Sequence, residues 1–151
     1  MLLLPLLMAV TGANSVRDAP EMGAGGLISC LLAGGLTNIT TMSSSSTSEY
    51  ALLLNFSLQN RRFAEPGVKK PYVIIISQSK EQVKNSVVCC VKHGWEIRVR
   101  SGGHSYEGLS YTSDVPFVLI DLMKFDKVHV DTHSMTAWVE ASATVTHPQR
   151  D

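Results

Sequence analysis

The run Pro71-Tyr72-Val73-Ile74-Ile75-Ile76 constrains this chain more than any other stretch. It is β-branched and apolar with no polar face to offer water, so it is predicted to be a strand covered on both sides. A helix is predicted directly after it: Ser79 stands three residues ahead of Gln82, the spacing of a capping box, and Gly94 supplies a left-handed stop. Val83, Val87 and Val91 recur at helical intervals and read as the inward stripe. Cys90 lies near that stripe, whereas Cys89 is rotated about 100° from it and is the freer to reach another element. A second strand, Glu96 to Arg100, alternates Ile97 and Val99 against Arg98 and Arg100 and completes a β-α-β unit. The two arginines are expected on a solvated face, paired to acids. Phe117 to Ile120 reads as a third strand. Val128 to Val130 and Ala137 to Ala141 read as a hairpin around Asp131-Thr132-His133-Ser134, with Trp138 a packing residue.

The N-terminal third is less ordered in pattern. Met1 is followed by the apolar run Leu2 to Val10 and then by Ala13-Asn14-Ser15, small residues of the kind a signal peptidase reads. Residues 1–15 are therefore expected to be an export signal cleaved after Ser15, since nine apolar residues fall well short of the roughly 20 needed to cross a bilayer. Leu27 to Leu32, closed by Gly34-Gly35, is predicted to be a short helix. Thr40 to Ser48 is Ser/Thr-rich and reads as a surface loop before the apolar patch Tyr50 to Leu58. The terminal Thr146 to Asp151 is polar, without apolar period, and is expected to be frayed. Apolar residues make up 44% of the chain against 17% charged, enough for a packed core. Thirteen basic residues balance thirteen acidic ones, so no net field favours nucleic acid or an anionic membrane.

Three cysteines suit an exported chain if Cys30 bridges to one of the adjacent pair Cys89 and Cys90 while the other stays buried. Closing so long a loop stabilises a fold by roughly 4 kcal/mol. Two sequons, Asn38-Ile39-Thr40 and Asn55-Phe56-Ser57, become N-glycosylation sites after export.

The segment richest in chemistry is Arg100-Ser101-Gly102-Gly103-His104-Ser105-Tyr106-Glu107-Gly108, between the second and third strands. Its paired glycines let backbone N–H groups converge without Cβ atoms in the way, a concavity suited to phosphate. It leaves the C-terminal end of a strand, where open α/β sheets bind nucleotides. It is neither a Walker loop nor a G-x-G-x-x-G fingerprint. The other histidines, His93, His129, His133 and His147, have no metal spacing among them.

From Arg98 through Tyr111 the chain resembles the flavin-attachment loop of plant berberine bridge enzyme-like oxidases. The resemblance runs on through Asp114 to Leu122 and Thr136 to Ala141, and back through Asn55 to Asn60 and Cys30-Leu31. These oxidases belong to the vanillyl-alcohol oxidase superfamily, whose flavin-binding unit is the PCMH-type domain, named after p-cresol methylhydroxylase. The fold class implied is α+β: the N-terminal part of a PCMH-type FAD-binding domain, spanning residues 65–145, behind a helical and loop segment at 16–64 and ahead of a divergent tail at 146–151. The implied cofactor is FAD. His104 takes the place of the histidine bonded through Nδ1 to the flavin 8α-methyl carbon, a neutral imidazole being a competent nucleophile. Arg100, Ser101, Gly102, Gly103 and Ser105 take the place of the diphosphate cradle. The family alignment also pairs Cys30 with Cys89 and leaves Cys90 free.

After Thr144 the resemblance stops, where relatives continue into a Leu-Gly-Glu helix start, a second flavin lobe, a substrate domain and a segment bearing catalytic bases. The implied function is therefore the N-terminal FAD-binding portion of an oxygen-reoxidised oxidase of alcohols, sugars, phenylpropanoids or alkaloids. FAD retention by this portion alone is expected to be weak or absent. The rival expectation is a non-catalytic secreted glycoprotein that keeps the remnant of the fold.

Overall fold

The computed structural model describes residues 21–42, 47–56 and 58–144. The expected export signal and the terminal tail lie outside the described residues. Within them run α1 (Glu21–Ala33), β1 (Ile39–Thr41), α2 (Thr47–Asn55), a 3-10 turn at Arg61–Ala64, β2 (Val73–Ile76), α3 (Lys80–Lys92), β3 (Glu96–Arg100), β4 (Phe117–Asp121), β5 (Val128–Asp131) and β6 (Thr136–Val139). The predicted strand of β-branched residues is β2. Val73, Ile74 and Ile75 are fully buried, as a strand covered on both faces must be.

One sheet has the order β1-β2-β4-β3, with β1 antiparallel and the other three parallel. The predicted β-α-β unit is present with a refinement: β4 lies between β2 and β3, with Ile75 and Val99 both opposite Ile120. Helices cover both faces. Leu27 and Leu31 of α1 and Cys89 and Cys90 of α3 pack with Val73, Ile75, Val118 and Ile120. On the other face, Tyr50 and Leu54 of α2 pack on Ile74 and Leu119.

Helix α3 starts at the predicted Ser79 cap, with the returning bond of Gln82 made one residue earlier than in a regular capping box. The Ser79 side chain accepts from the Gln82 N–H, and Gln82 Oε1 accepts from the Gln78 N–H at 2.8 Å. Gly94 has φ +71°, the left-handed stop expected of it. The stripe of valines is corrected, because the inward face is Ser86, Cys89 and Cys90, whereas Val87, Val88 and Val91 are exposed. The reason lies in the partner: α1 packs against α3, and Asn85 Nδ2 and Gln82 Nε2 donate to the carbonyls of Gly34 and Gly35 at the end of α1. The Cys30–Cys89 disulfide ties the same two helices, with Cα atoms 5.8 Å apart. It agrees with the pairing the resemblance implied and leaves Cys90 a free, buried thiol.

Two further readings change. Thr40 and Thr41, placed in a surface loop from composition, belong to β1, where pairing with β2 overrides their polar character. Trp138, expected to pack, is 81% exposed, because every residue of β6 faces solvent and the β5–β6 hairpin forms a separate two-stranded sheet. No helix among the described residues is long and apolar enough to cross a membrane.

Candidate functional site

Strands β2, β3 and β4 are parallel and in register at Ile76, Arg100 and Asp121, so their C-terminal ends form one edge of the sheet. The loop that carries His104 leaves from that edge. Its foundation is Arg100, which is fully buried and not on a solvated face as its charge suggested. Alternation along β3 places Arg100 on the same side as Ile74 and Leu119, the side α2 covers. There its Nε donates to Asp121 Oδ2 at 2.7 Å, Nη1 to the Leu54 carbonyl at 3.0 Å and Nη2 to the Leu53 carbonyl at 2.6 Å. Asp121 Oδ1 accepts in turn from the Met123 N–H. The guanidinium thus satisfies carbonyls at the C-terminus of α2 and a buried carboxylate together, and its charge is engaged inside the protein rather than turned toward a ligand. Arg98, half-buried, pairs with Glu96 at 2.7 Å and donates to the Thr112 carbonyl, pinning the far end of the loop.

Beyond Arg100 the backbone donors are unpaired, with Gly103 buried and His104 exposed. The N–H groups of residues 101–105 donate to no acceptor among the described residues. Gly103 has φ +66°, a conformation that side chains disfavour. Gly102 matters in a different way: a Cβ there would lie 2.4 Å from His104 Nε2, so the glycine is what lets the imidazole take this position. The imidazole therefore lies across Gly102, on the surface of the molecule and not in its core. Unbonded N–H groups at the C-terminal edge of a parallel sheet, with an exposed imidazole beside them, suit a phosphate-bearing cofactor.

The exit from the loop is anchored by residues to which the sequence assigned no role. Tyr111, almost fully buried, donates its hydroxyl to the Ser105 carbonyl at 2.8 Å and meets Phe63 edge-on at 5.6 Å. Gly108, at φ +76°, passes so close to Phe63 and Thr112 that a Cβ would lie 2.8 Å from each. Lys70 donates to the Phe63 carbonyl and Lys69 to that of Asp114, holding the flanking chain. Phe63 and Tyr111 are 48 residues apart in sequence, so no local pattern announces their contact.

The remaining histidines stay apart: His93 caps the end of α3, His129 is on β5 and His133 is in the hairpin turn. His147 lies outside the described residues. Among the described residues no cluster of three or more metal-ligating side chains forms. A cleft of about 830 Å³ lined by Tyr72, Trp95 and Pro116 lies at the N-terminal ends of the parallel strands, away from His104. Position at the C-terminal edge, not cleft size, selects the 101–105 loop as the site.

Comparison with known proteins adds an independent observation. Residues 71–149 match the family described as FAD binding domain. The chain is 50% identical over 119 residues to reticuline oxidase of Papaver somniferum, an alignment covering 79% of this chain and 22% of that protein. It is 58% identical over 98 residues to berberine bridge enzyme-like D-2 of Nicotiana tabacum, covering 64% of this chain and 17% of the relative. The solved structure of berberine bridge enzyme from Eschscholzia californica superposes with a TM-score of 0.73 at 50% identity, covering 78% of this chain and 24% of that one. The chain thus spans about a fifth of the length of the curated relatives it matches.

Proposed function

Since this chain belongs to the FAD binding domain family, among the berberine bridge enzyme-like proteins, we propose that it forms the N-terminal FAD-binding portion of a secreted FAD-linked oxidase. The observation that carries this reading is the loop at 101–105, with its unbonded N–H groups and the exposed imidazole of His104 laid across Gly102. Ser101, Gly102, Gly103, His104 and Ser105 offer backbone donors to the FAD diphosphate, and His104 Nδ1 is the point of covalent attachment at the flavin 8α-methyl carbon. Arg100 contributes through the placement of this loop, since its guanidinium is held by Asp121 and α2.

Bound FAD supplies hydride acceptance from an alcohol, sugar, phenylpropanoid or alkaloid, with oxygen taking the electrons afterwards. Reticuline oxidase, by its name, acts on reticuline; no residue of this chain is assigned to substrate choice. Residues 101–105 alone offer a diphosphate a few hydrogen bonds against the entropy of binding, so the 151-residue chain holds FAD weakly. Passage through the secretory pathway is supported by the Cys30–Cys89 disulfide and by the exposure of both sequon asparagines, Asn38 and Asn55. Cleavage after Ser15 and glycans on both asparagines belong to the same proposal.

The test is a chimera in which residues 27–144 replace the matching segment of reticuline oxidase. Peptide mapping is expected to find flavin on the His104 peptide, and flavin should leave that peptide in His104→Ala. A folded, flavin-loaded chimera whose His104 peptide carries no flavin removes His104 from this role.

A further inference from the structure

We propose that Tyr111 is the positioning residue for His104, a step that rests on the flavin-holding role proposed above. Three observations lead to it. The His104 imidazole makes no hydrogen bond to any of the described residues, so nothing but the backbone on either side and the floor at Gly102 sets its orientation. On the N-terminal side the chain is fixed by β3 and Arg100. On the C-terminal side the next residue, Ser105, is where the loop closes on itself: its carbonyl accepts from the Gly108 N–H and from the Tyr111 hydroxyl, and its Oγ accepts from the Leu109 N–H.

Of these three bonds, the one from Tyr111 is the only one that ties Ser105 to a buried side chain. Tyr111 is itself immobilised by its edge-on contact with Phe63, and Phe63 by its carbonyl bond from Lys70. The hydroxyl therefore transmits the rigidity of the protein body to the residue adjoining the imidazole. The Gly108 and Leu109 bonds close the loop on itself; farther along, Asn60 Nδ2 donates to the Tyr106 carbonyl at 3.3 Å, Arg62 pairs with Glu107 and Gly108 packs on Phe63, but none of these ties holds Ser105 to a buried side chain. Without the hydroxyl, the later part of the loop stays tied to the body through Tyr106, Glu107 and Gly108, but Ser105, next to the imidazole, loses its link to a buried side chain, and the imidazole is freed from the surface of Gly102.

The test compares Tyr111→Phe with Tyr50→Phe in the 151-residue chain. Each deletes one buried hydroxyl while keeping its ring, and Tyr50, which donates to the Pro71 carbonyl at 2.6 Å, is on α2, which supports the loop from its N-terminal side through Arg100 and not at Ser105. The two variants thus lose comparable hydrogen bonds. Histidine ring signals are read by NMR. In Tyr111→Phe the His104 signal is expected to shift and broaden while those of His93, His129 and His133 stay in place, and in Tyr50→Phe the His104 signal is expected to be unchanged.

An unmoved His104 signal in Tyr111→Phe, or an equal shift in Tyr50→Phe, overturns the proposal. The wild-type chain gives a second reading that needs no variant. The amides of Gly108 and Leu109, closed onto Ser105, should exchange with solvent at least about tenfold more slowly than the unbonded amides of residues 102–104. Equal rates would contradict the closure of the loop on Ser105, the premise from which the role of Tyr111 is drawn, and would overturn the proposal with it. Titrating FAD into the same samples keeps the two ideas separable. A perturbed His104 signal in Tyr111→Phe without FAD binding to either form retains the positioning role and counts against the cofactor reading. FAD binding with an unperturbed signal does the reverse.

Discussion

Replacing Arg100 by Leu removes the group on which the candidate site stands, and the size of the effect follows from its partners. Arg100 and Asp121 are both essentially inaccessible to water. Removing the guanidinium leaves the Asp121 carboxylate buried with the Met123 N–H as its remaining donor, and strips the Leu53 and Leu54 carbonyls of their partners. Breaking a buried pair in this way costs about 3–5 kcal/mol. Orphaned carbonyls cost about 1–3 kcal/mol each, a sum that overlaps with the first figure and does not add to it. Against a typical domain stability of about 5–15 kcal/mol, the loss is a large share. With a urea dependence of about 2 kcal/mol per molar, the unfolding midpoint should fall by roughly 2 M. Urea denaturation followed by circular dichroism, with the disulfide intact, measures it. The double variant Arg100→Met with Asp121→Leu should recover part of the loss, because it removes the uncompensated buried carboxylate while the Leu53 and Leu54 carbonyls stay without the guanidinium. A loss under about 1 kcal/mol in Arg100→Leu, or a double variant no better than the single one, would refute the assignment of this pair as the joint between α2 and the sheet.

The two glycines of the bend should separate in their effects. Gly103→Ala forces a side chain into the left-handed region and is expected to cost about 1–2 kcal/mol in thermal or urea unfolding. Gly102→Ala should leave stability within about 0.5 kcal/mol, because the imidazole that it meets can swing away, yet it should displace the His104 ring signal in NMR. Cys90 should resist thiol reagents at pH 8 in the native chain and react once per chain in urea, since burial pushes its thiol up to about 12. Burial raises the Tyr50 hydroxyl to about 12 as well. Both groups lose protons more readily when unfolded, so stability is complete below about pH 9 and should decline as pH rises from there toward 12. Cys30→Ser, which opens the bridge to Cys89, should cost up to about 4 kcal/mol of stability, read as a lowered melting temperature.

What could be read in advance was local chemistry. The run Val73 to Ile76 has no polar side, and the Ser79–Gln82 box with Gly94 marks a helix at both ends, so these elements appear where they were predicted. The face of α3 was misread because its periodic valines share the outer side with Lys84 and Lys92, and only the packing of α1 and the bridge to Cys30 decide which side turns inward. Arg100 was misread for a similar reason. Its charge suggested water, but carbonyls 46 and 47 residues away lie on the same face of the sheet. The insertion of β4 between β2 and β3 is likewise a non-local choice with no periodic signature. In the site itself, the diglycine bend stood out by composition and His104 by the family resemblance of its loop, whereas the contact of Tyr111 with Phe63 became visible once the chain was folded.

Under the proposed function, the N–H groups at 101–105 form a cradle for the FAD diphosphate beside His104. Titrating FAD into the isotope-labelled chain and following every amide by NMR tests it most directly. Weak, saturable shifts concentrated on residues 101–105 and on the His104 ring, reversed by excess inorganic pyrophosphate, are the expected result. Shifts that leave these residues untouched, or that gather at the cleft lined by Tyr72 and Trp95, would contradict it.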